Sequence, residues 1–404
     1  MEYMPLKKMF HINEQESNNL YFKRFESEST HKLGIELNGF ECFYLINDEI
    51  LKLIDDIYEI NRWLEKTMAS DDFPAIAKNY LFMSTLIEEI KSSNKIEGIN
   101  STRKELKKII LSEPPKKYIR FYGMVNKYEK LMNEEFMPIE TSSDIRKLYD
   151  EILLKDIVDE DETDKPDGII FRSDSVEVKS SYTVIHKGVS GEKNIIEIMD
   201  KSLKILNDSK INFLIRIAIF HYLFEYIHPF YNGNGRMGRF LASGYLSKYL
   251  NVLCALQFSI ACIHNHNKYY DSFKMTNDIR NKSDLTVFII YLLEIYLSGL
   301  IELKEHIEST LNVYTHMKEK IIKFLDRKHQ DFVEVLLQAT LFNVGDGLTM
   351  SQIVDITSYT EQTIRKIINH INKEWSIIKI DKTNKPYKYT IDVDRVSQIK
   401  NSFE

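Results

Sequence analysis

Cysteine is scarce in this chain: Cys42, Cys254 and Cys262 are the only three among 404 residues. Their spacing excludes a thiolate metal cage and a disulfide framework, so they are expected to be small core residues of a protein kept in a reducing, cytoplasmic setting. Glycine (14) and proline (8) are also few, which excludes collagen-like and low-complexity architectures and favours long helices. Charge of one sign does not dominate. Lys and Arg total 54 against 60 Asp and Glu, a net charge of -6, too mild a field to draw the whole molecule onto nucleic acid or an anionic membrane. The opening Met-Glu-Tyr-Met-Pro-Leu-Lys-Lys has neither the apolar run nor the small-residue cleavage pattern of a secretory leader. The longest apolar run, near residues 211 to 224, contains Arg216 and His221 and is expected to be a buried helix, with no membrane anchorage.

What is present is ample apolar material, 43% of residues with 12% aromatic, in a chain longer than one hydrophobic core usually serves. Apolar spacing predicts a mainly α protein with small β additions. Helices are expected at 44 to 66 and 78 to 93, with a break near 113 before Pro114-Pro115. A helix at 143 to 155 leads into an acidic segment, Asp156 to Asp167, expected to be a solvated loop packed against nothing. After Gly168, the recurrence of Ile170, Val176, Val178 and Val184 predicts a β-hairpin. Helices are expected again from Ile195 to about 325, interrupted at Ser259 to Asn267, where His264 and His266 read as solvated loop residues without a metal role. Beyond Asp331, helical patterns at 331 to 341, 349 to 356 and 361 to 373 precede two strand-like runs, Ile377 to Ile380 and Tyr387 to Ile391. A turn-rich Thr383-Asn384-Lys385-Pro386 joins those runs, an order that resembles a winged helix-turn-helix.

Chemistry concentrates at residues 228 to 239, His-Pro-Phe-Tyr-Asn-Gly-Asn-Gly-Arg-Met-Gly-Arg. Pro229 disfavours helical geometry at His228, which should therefore stand at a helix end facing a loop. Gly233 and Gly235 let backbone N–H groups approach a ligand, and the following helix offers unpaired N–H donors and a partial positive charge. Arg236 and Arg239, three residues apart, add forked cationic donors. A cradle for polyphosphate beside an imidazole that titrates near neutrality points to phosphoryl-type transfer.

This stretch closely resembles the signature of the Fic family, and His221-Tyr222-Leu223-Phe224-Glu225 before Ile227-His228 resembles that family's buried helix. The resemblance covers most of residues 80 to 300. It implies a helical Fic core in which His228 is the general base. Asn234 with the Gly233 and Gly235 amides would hold the α-phosphate of ATP, and Arg236 and Arg239 would grip the β- and γ-phosphates. Arg172 and Val176 resemble the hairpin flap, so a target protein is expected to dock near residues 170 to 185 as an added strand. AMP would pass to a Ser, Thr or Tyr hydroxyl. Phe230 is expected to anchor the loop in the core.

Position 232 departs from the family pattern. Asn232 stands where an Asp or Glu usually holds Mg2+, which implies weakened use of Mg2+ or Mn2+. Ser93-Asn94-Lys95-Ile96-Glu97-Gly98 resembles the family's inhibitory motif; Ser93 and Glu97 belong to it, and Glu97 would pair with Arg239 in the γ-phosphate position. The same glutamate could instead serve removal of AMP. At the C-terminal end, Gln362, Arg365 and Lys366 with Lys382, Lys385 and Lys388 could face DNA, yet nine basic against seven acidic residues from Leu348 onward leave little excess. A protein partner for 349 to 391, and pairing of two copies, stay open beside DNA. The expected organisation is 1 to 113 with the inhibitory motif, 114 to 305 as Fic core, and 306 to 404 as linker helix and winged-helix domain. The expected function is an autoinhibited protein adenylyltransferase. The alternative is a catalytically weak, nucleotide-sensing, DNA-binding regulator.

Overall fold

A computed structural model describes residues 3–71, 73–133, 135–180, 183–343, 347–383 and 385–399. Ser181 and Tyr182 of the expected flap and Asn384 of the expected turn lie outside the described residues, as do the side chains of Val178 and Val184. The described residues are mainly helical, with three small antiparallel sheets among them. By contact the chain divides into two compact units, Met1–Arg62 with Leu86–Ile301, and Trp63–Thr85 with Glu302–Glu404, rather than at residues 113 and 305.

In the first unit, helices α1 (Leu6–Ile12) and α2 (Glu14–Phe25) and the hairpin β1 (Thr30–Leu37) and β2 (Phe40–Leu45) close a small core of Leu6, Tyr21 and Phe43. Residues 44 and 45 therefore complete a strand, where the apolar spacing suggested helix. The helix begins only after Asn47, whose side chain caps it by accepting from the Ile50 N–H at 2.9 Å. It is α3 (Asp48–Ala69), followed by α4 (Ala75–Ile96), α5 (Arg103–Ile110) and α6 (Tyr122–Met132). A reciprocal capping box between Thr141 and Asp144 starts α7 (Ser142–Tyr149), which runs through a π-type turn, Asp150–Leu154, into α8 (Lys155–Glu160).

The acidic segment is thus not an unpacked loop. Most of it is helical, in the end of α8 and a short 3-10 turn, Glu162–Asp164, and Asp156 is buried, accepting from the Tyr118 hydroxyl at 2.6 Å and the Phe121 N–H at 3.1 Å. Strands β3 (Glu177–Ser180) and β4 (Thr183–Lys187) form the expected hairpin, later than Ile170 would have started it. Then come α9 (Glu192–Asn207), α10 (Phe213–Ile227), α11 (Asn234–Ser247), α12 (Val252–Ala255), α13 (Phe258–His264), α14 (His266–Thr276) and α15 (Thr286–Phe324). The interruption expected at 259 to 267 shrinks to Asn265, and His264 and His266 flank it on helices, exposed. Cys42, Cys254 and Cys262 are free and buried. Among the described residues, α15 is the one helix long and apolar enough to cross a membrane, and 67% of its apolar window is buried inside the protein.

In the second unit, α16 (Arg327–Phe342), β5 (Leu348–Thr349), α17 (Met350–Thr357), α18 (Glu361–Glu374), β6 (Ile378–Asp381), β7 (Lys388–Ile391) and α19 (Val393–Gln398) surround a sheet of order β5-β7-β6. Helix α18 turns Ile364, Ile367, Ile368 and Ile371 inward at the three- and four-residue spacing of an amphipathic helix. Thr349 and Thr360 cap α17 and α18.

Candidate active site

Helix α10 is buried along nearly its whole length. It ends because His228 adopts a left-handed conformation (φ 53°) ahead of Pro229, while its N–H still closes on the Phe224 carbonyl at 2.9 Å. That strained turn is held from beneath by Arg172, a fully buried residue. Its guanidinium donates to the carbonyls of His228 (2.8 Å), Val189 (2.7 Å), Ile227 (3.2 Å) and Asp174. Arg172 is therefore a clamp under the loop, not a member of the flap. Gly188 makes room for it, since a Cβ there would lie 2.5 Å from the Arg172 Nη2 and 3.1 Å from the His228 Cβ.

The loop between α10 and α11 is packed rather than floppy. Phe230 is buried as expected, stacked 3.7 Å on the Tyr149 ring with the Phe171 edge against it. The side chain of Asn234, expected on phosphate, is instead committed to the loop: its oxygen accepts from the Phe230 N–H (2.9 Å) and its amide donates to the Phe230 carbonyl (2.8 Å). Gly233 takes φ 83°, and a Cβ there would also meet the Ile157 Cδ1 at 2.8 Å. The Tyr149 hydroxyl donates to the Asn232 carbonyl at 3.1 Å.

Both arginines of the motif are 1% exposed. Arg239 is fully engaged by the motif at the end of α4: Nε donates to the Ser93 Oγ (3.1 Å), and Nη2 to the Ser93 carbonyl (2.9 Å) and the Glu97 carboxylate (2.8 Å). Gly98, at φ 72°, ends α4 with the paired bonds Gly98 N–H to Lys95 O and Ile99 N–H to Asn94 O, which fixes where Glu97 projects. A Cβ added to Gly235 would collide with the Glu97 Oε1 and lie 2.9 Å from the Arg239 Nη1, so the carboxylate is seated on the first turn of α11. That position suits an anion, because the N–H groups and the positive end of the helix face it.

Arg236 is differently placed. Its Nη2 lies 3.5 Å from the Asn232 Oδ1, and its buried Nε has no partner among the described residues. Asn232 in turn donates its amide to the Asp164 carboxylate at 2.8 Å. Asp164 belongs to the acidic segment read from sequence as solvent-facing, and nothing in that run of like residues marks it out.

Electrostatics divide the site into neutral and charged groups. Burial pushes the His228 imidazole down to about 4, with Glu225 and Glu97 opposing, so it is neutral at pH 7. Its Nδ1 is 3.3 Å from the Glu225 carbonyl; a carbonyl only accepts, so Nδ1 carries the proton and Nε2 keeps its lone pair. Burial pushes the neighbouring Glu225 carboxyl up to about 8, against the pull of Arg239. Burial works against the Arg239 charge too, but Glu97 outweighs it and holds the guanidinium above its usual range. In the sequence Glu225 is read only as part of a buried helix, although one carboxylate in an otherwise apolar turn before a histidine is a usable signal.

The fold thus brings together His228, Asn232, Gly233, Asn234, Gly235, Arg236, Arg239, Ser93 and Glu97, and adds Arg172, Asp164, Tyr149 and Glu225. Against known proteins, a probable protein adenylyltransferase of Aquifex aeolicus (strain VF5) is 29% identical over 153 residues, which is 32% of this chain and 44% of that protein. The match thus spans less than half of the relative's length. The fold is similar to that of a Fic family protein from Desulfovibrio desulfuricans G20, at 18% identity and a TM-score of 0.50 over 86% of this chain and 97% of that one. The model of the Fic/DOC family matches residues 139–246. His228, Asn232, Arg236 and Arg239 all lie within the residues that this family model matches.

Proposed function

We propose that this protein is an autoinhibited protein adenylyltransferase, transferring AMP from ATP to a Ser, Thr or Tyr hydroxyl of a target protein. The observation that carries the reading is the Glu97 carboxylate, bonded to Arg239 at 2.8 Å on the first turn of α11, beside a neutral His228. A carboxylate on a helix N-terminus with a buried arginine occupies the place of an anionic ligand, and the imidazole next to it is in the protonation state a base requires.

In this reading the His228 Nε2 accepts the proton of the target hydroxyl as its oxygen attacks the α-phosphorus. The bond from that phosphorus to the bridging oxygen breaks, and pyrophosphate leaves. The N–H groups of the α11 first turn face the charge that grows on the α-phosphate, in a setting too packed to need rearrangement. Arg172 keeps the turn at His228 in register by holding its carbonyl at 2.8 Å. Hard oxygen donors are present for Mg2+ or Mn2+: the Asn232 Oδ1 would hold the ion, which supplies charge neutralisation on the phosphates. While Glu97 holds Arg239, a γ-phosphate cannot use that guanidinium, and the resting protein is expected to be nearly inactive. The hairpin β3 to β4 remains the proposed dock for an extended target segment.

The test is transfer of label from α-labelled ATP onto the protein itself and onto lysate proteins by wild type, Glu97→Gly and Glu97→Gly/His228→Ala. Label that appears with Glu97→Gly and vanishes in the double variant supports both chemistry and inhibition. Bound nucleotide without label in any variant would favour the nucleotide-sensing regulator.

A further inference from the structure

Asn232 is uncharged, yet it is not without a charge. Its amide nitrogen donates to Asp164 Oδ2 at 2.8 Å, while the Nη2 of the buried Arg236 lies 3.5 Å from its amide oxygen. These partners settle which end of the amide points where. A carboxylate only accepts and a guanidinium only donates, so the nitrogen must face Asp164 and the oxygen must face Arg236. The residue is pinned a third time through its carbonyl, which accepts from the Tyr149 hydroxyl at 3.1 Å. Arg236 meanwhile keeps a buried Nε with no partner among the described residues, a cation side incomplete without an anionic ligand.

We infer that Asp164 replaces, through the Asn232 amide, the negative charge that position 232 lacks, so that the pair holds the divalent cation of a metal–nucleotide complex. The inference rests on reading the α11 N-terminus as a nucleotide site. A hydrogen bond from the amide nitrogen to a carboxylate draws electron density toward Oδ1 and locks that oxygen toward Arg236, as outer-shell carboxylates do for ligands they orient. Mg2+ keeps several waters and needs few protein oxygens besides the phosphates, so a single amide oxygen backed by a carboxylate suffices where an unassisted one would bind weakly. The arrangement also accounts for the asparagine: an Asp at 232 would set two carboxylates against each other at hydrogen-bond distance, which disfavours ionisation of both.

The experiment measures Mn2+ affinity by electron paramagnetic resonance in the presence of α,β-methylene-ATP, whose bridge cannot be cleaved. All proteins carry Glu97→Gly to open the cradle, and nucleotide binding in EDTA is measured alongside. Asp164→Asn keeps the shape and removes the charge; it should weaken Mn2+ by about 10- to 100-fold, the range for loss of an outer-shell partner, with metal-free nucleotide binding unchanged. Asn232→Asp/Asp164→Asn exchanges the two groups, keeping one carboxylate and one amide in contact, and should restore Mn2+ affinity to within about threefold of the parent on the same reasoning. An Asp164→Asn protein that binds Mn2+ as tightly as its parent overturns the inference. So does an exchanged pair no tighter than Asp164→Asn. Failure of every protein to bind nucleotide in EDTA would instead remove the nucleotide-site reading, and this inference with it.

Discussion

Helices α11 and α18 both present arginine, and the two arginine sets stand in different surroundings. On α11, Arg236 and Arg239 are 1% exposed; Arg239 is bonded through Nε and Nη2 to Ser93 and Glu97, and Arg236 keeps a buried Nε without a partner among the described residues. On α18, the Arg365 side chain is 63% exposed and leans on Glu361 one turn away, an i,i+4 pair in solvent. A guanidinium in water is already satisfied, and its pairing there contributes little. Taken out of water, the same group must find an anion, and the fold has placed the partly exposed Glu97 carboxylate to meet it. The sequence motif lists which arginines are present; burial selects the ones that require an anionic partner.

The strongest way to break this contrast is at the buried site. In the Glu97→Gly background, His228→Ala should lower AMP transfer by about 10²- to 10⁴-fold, the usual contribution of a general base; an unchanged rate of label incorporation would strip His228 of that role. Phe230→Ala should cost about 3–5 kcal/mol in denaturant unfolding, because it empties a fully enclosed aromatic slot between Tyr149 and Phe171. A loss below about 1 kcal/mol would show that the loop is not packed as described.

A pH experiment sharpens the contrast further. The Glu225 carboxyl is raised to about 8 by burial, against an ordinary value near 4.5, so the unfolded chain ionises first as pH rises. Its neutral form therefore contributes stability that is complete below about pH 4.5 and is lost as pH climbs through about 8. The melting temperature of Glu225→Gln relative to wild type should shift in the variant's favour between pH 5 and pH 8.5, and a difference that stays flat would mean Glu225 is charged throughout. The smallest effect belongs to the surface: Arg365→Ala should change stability by no more than about 0.5 kcal/mol, and a thermal melt that moves by many degrees would contradict the solvated reading of α18.

Much of the fold was legible because its signals are local. The apolar periodicity located α4, α10, α16 and α18 to within a few residues, and Pro229 after His228 marked the end of α10. Errors arose where a pattern had two physical meanings. Apolar residues at 44 and 45 served a strand, because Asn47 supplies the cap that sets the true helix start. The acidic run 156 to 167 looked solvated by composition, yet Asp156 caps a buried turn and Asp164 reaches Asn232, contacts made between residues far apart in the chain. Arg172 was set with the hairpin by resemblance, whereas its carbonyl partners reach beyond it, to Ile227 and His228 at the end of α10 and to Val189 on the approach to α9, besides the nearby Asp174.

The sequence by itself determined the helical character of the chain, the turn at His228-Pro229 and the glycines that let α11 begin as an anion cradle, because these depend on backbone preferences of adjacent residues. The resemblance of Ser93 to Gly98 already pairs Glu97 with Arg239; only the tertiary structure decided that Asn234 closes the loop, that Arg172 supports His228 and that Asp164 faces Asn232. Each of those contacts joins a polar side chain to a backbone or side-chain group, an attraction worth having only once water is excluded, and exclusion of water is a property of the packed fold.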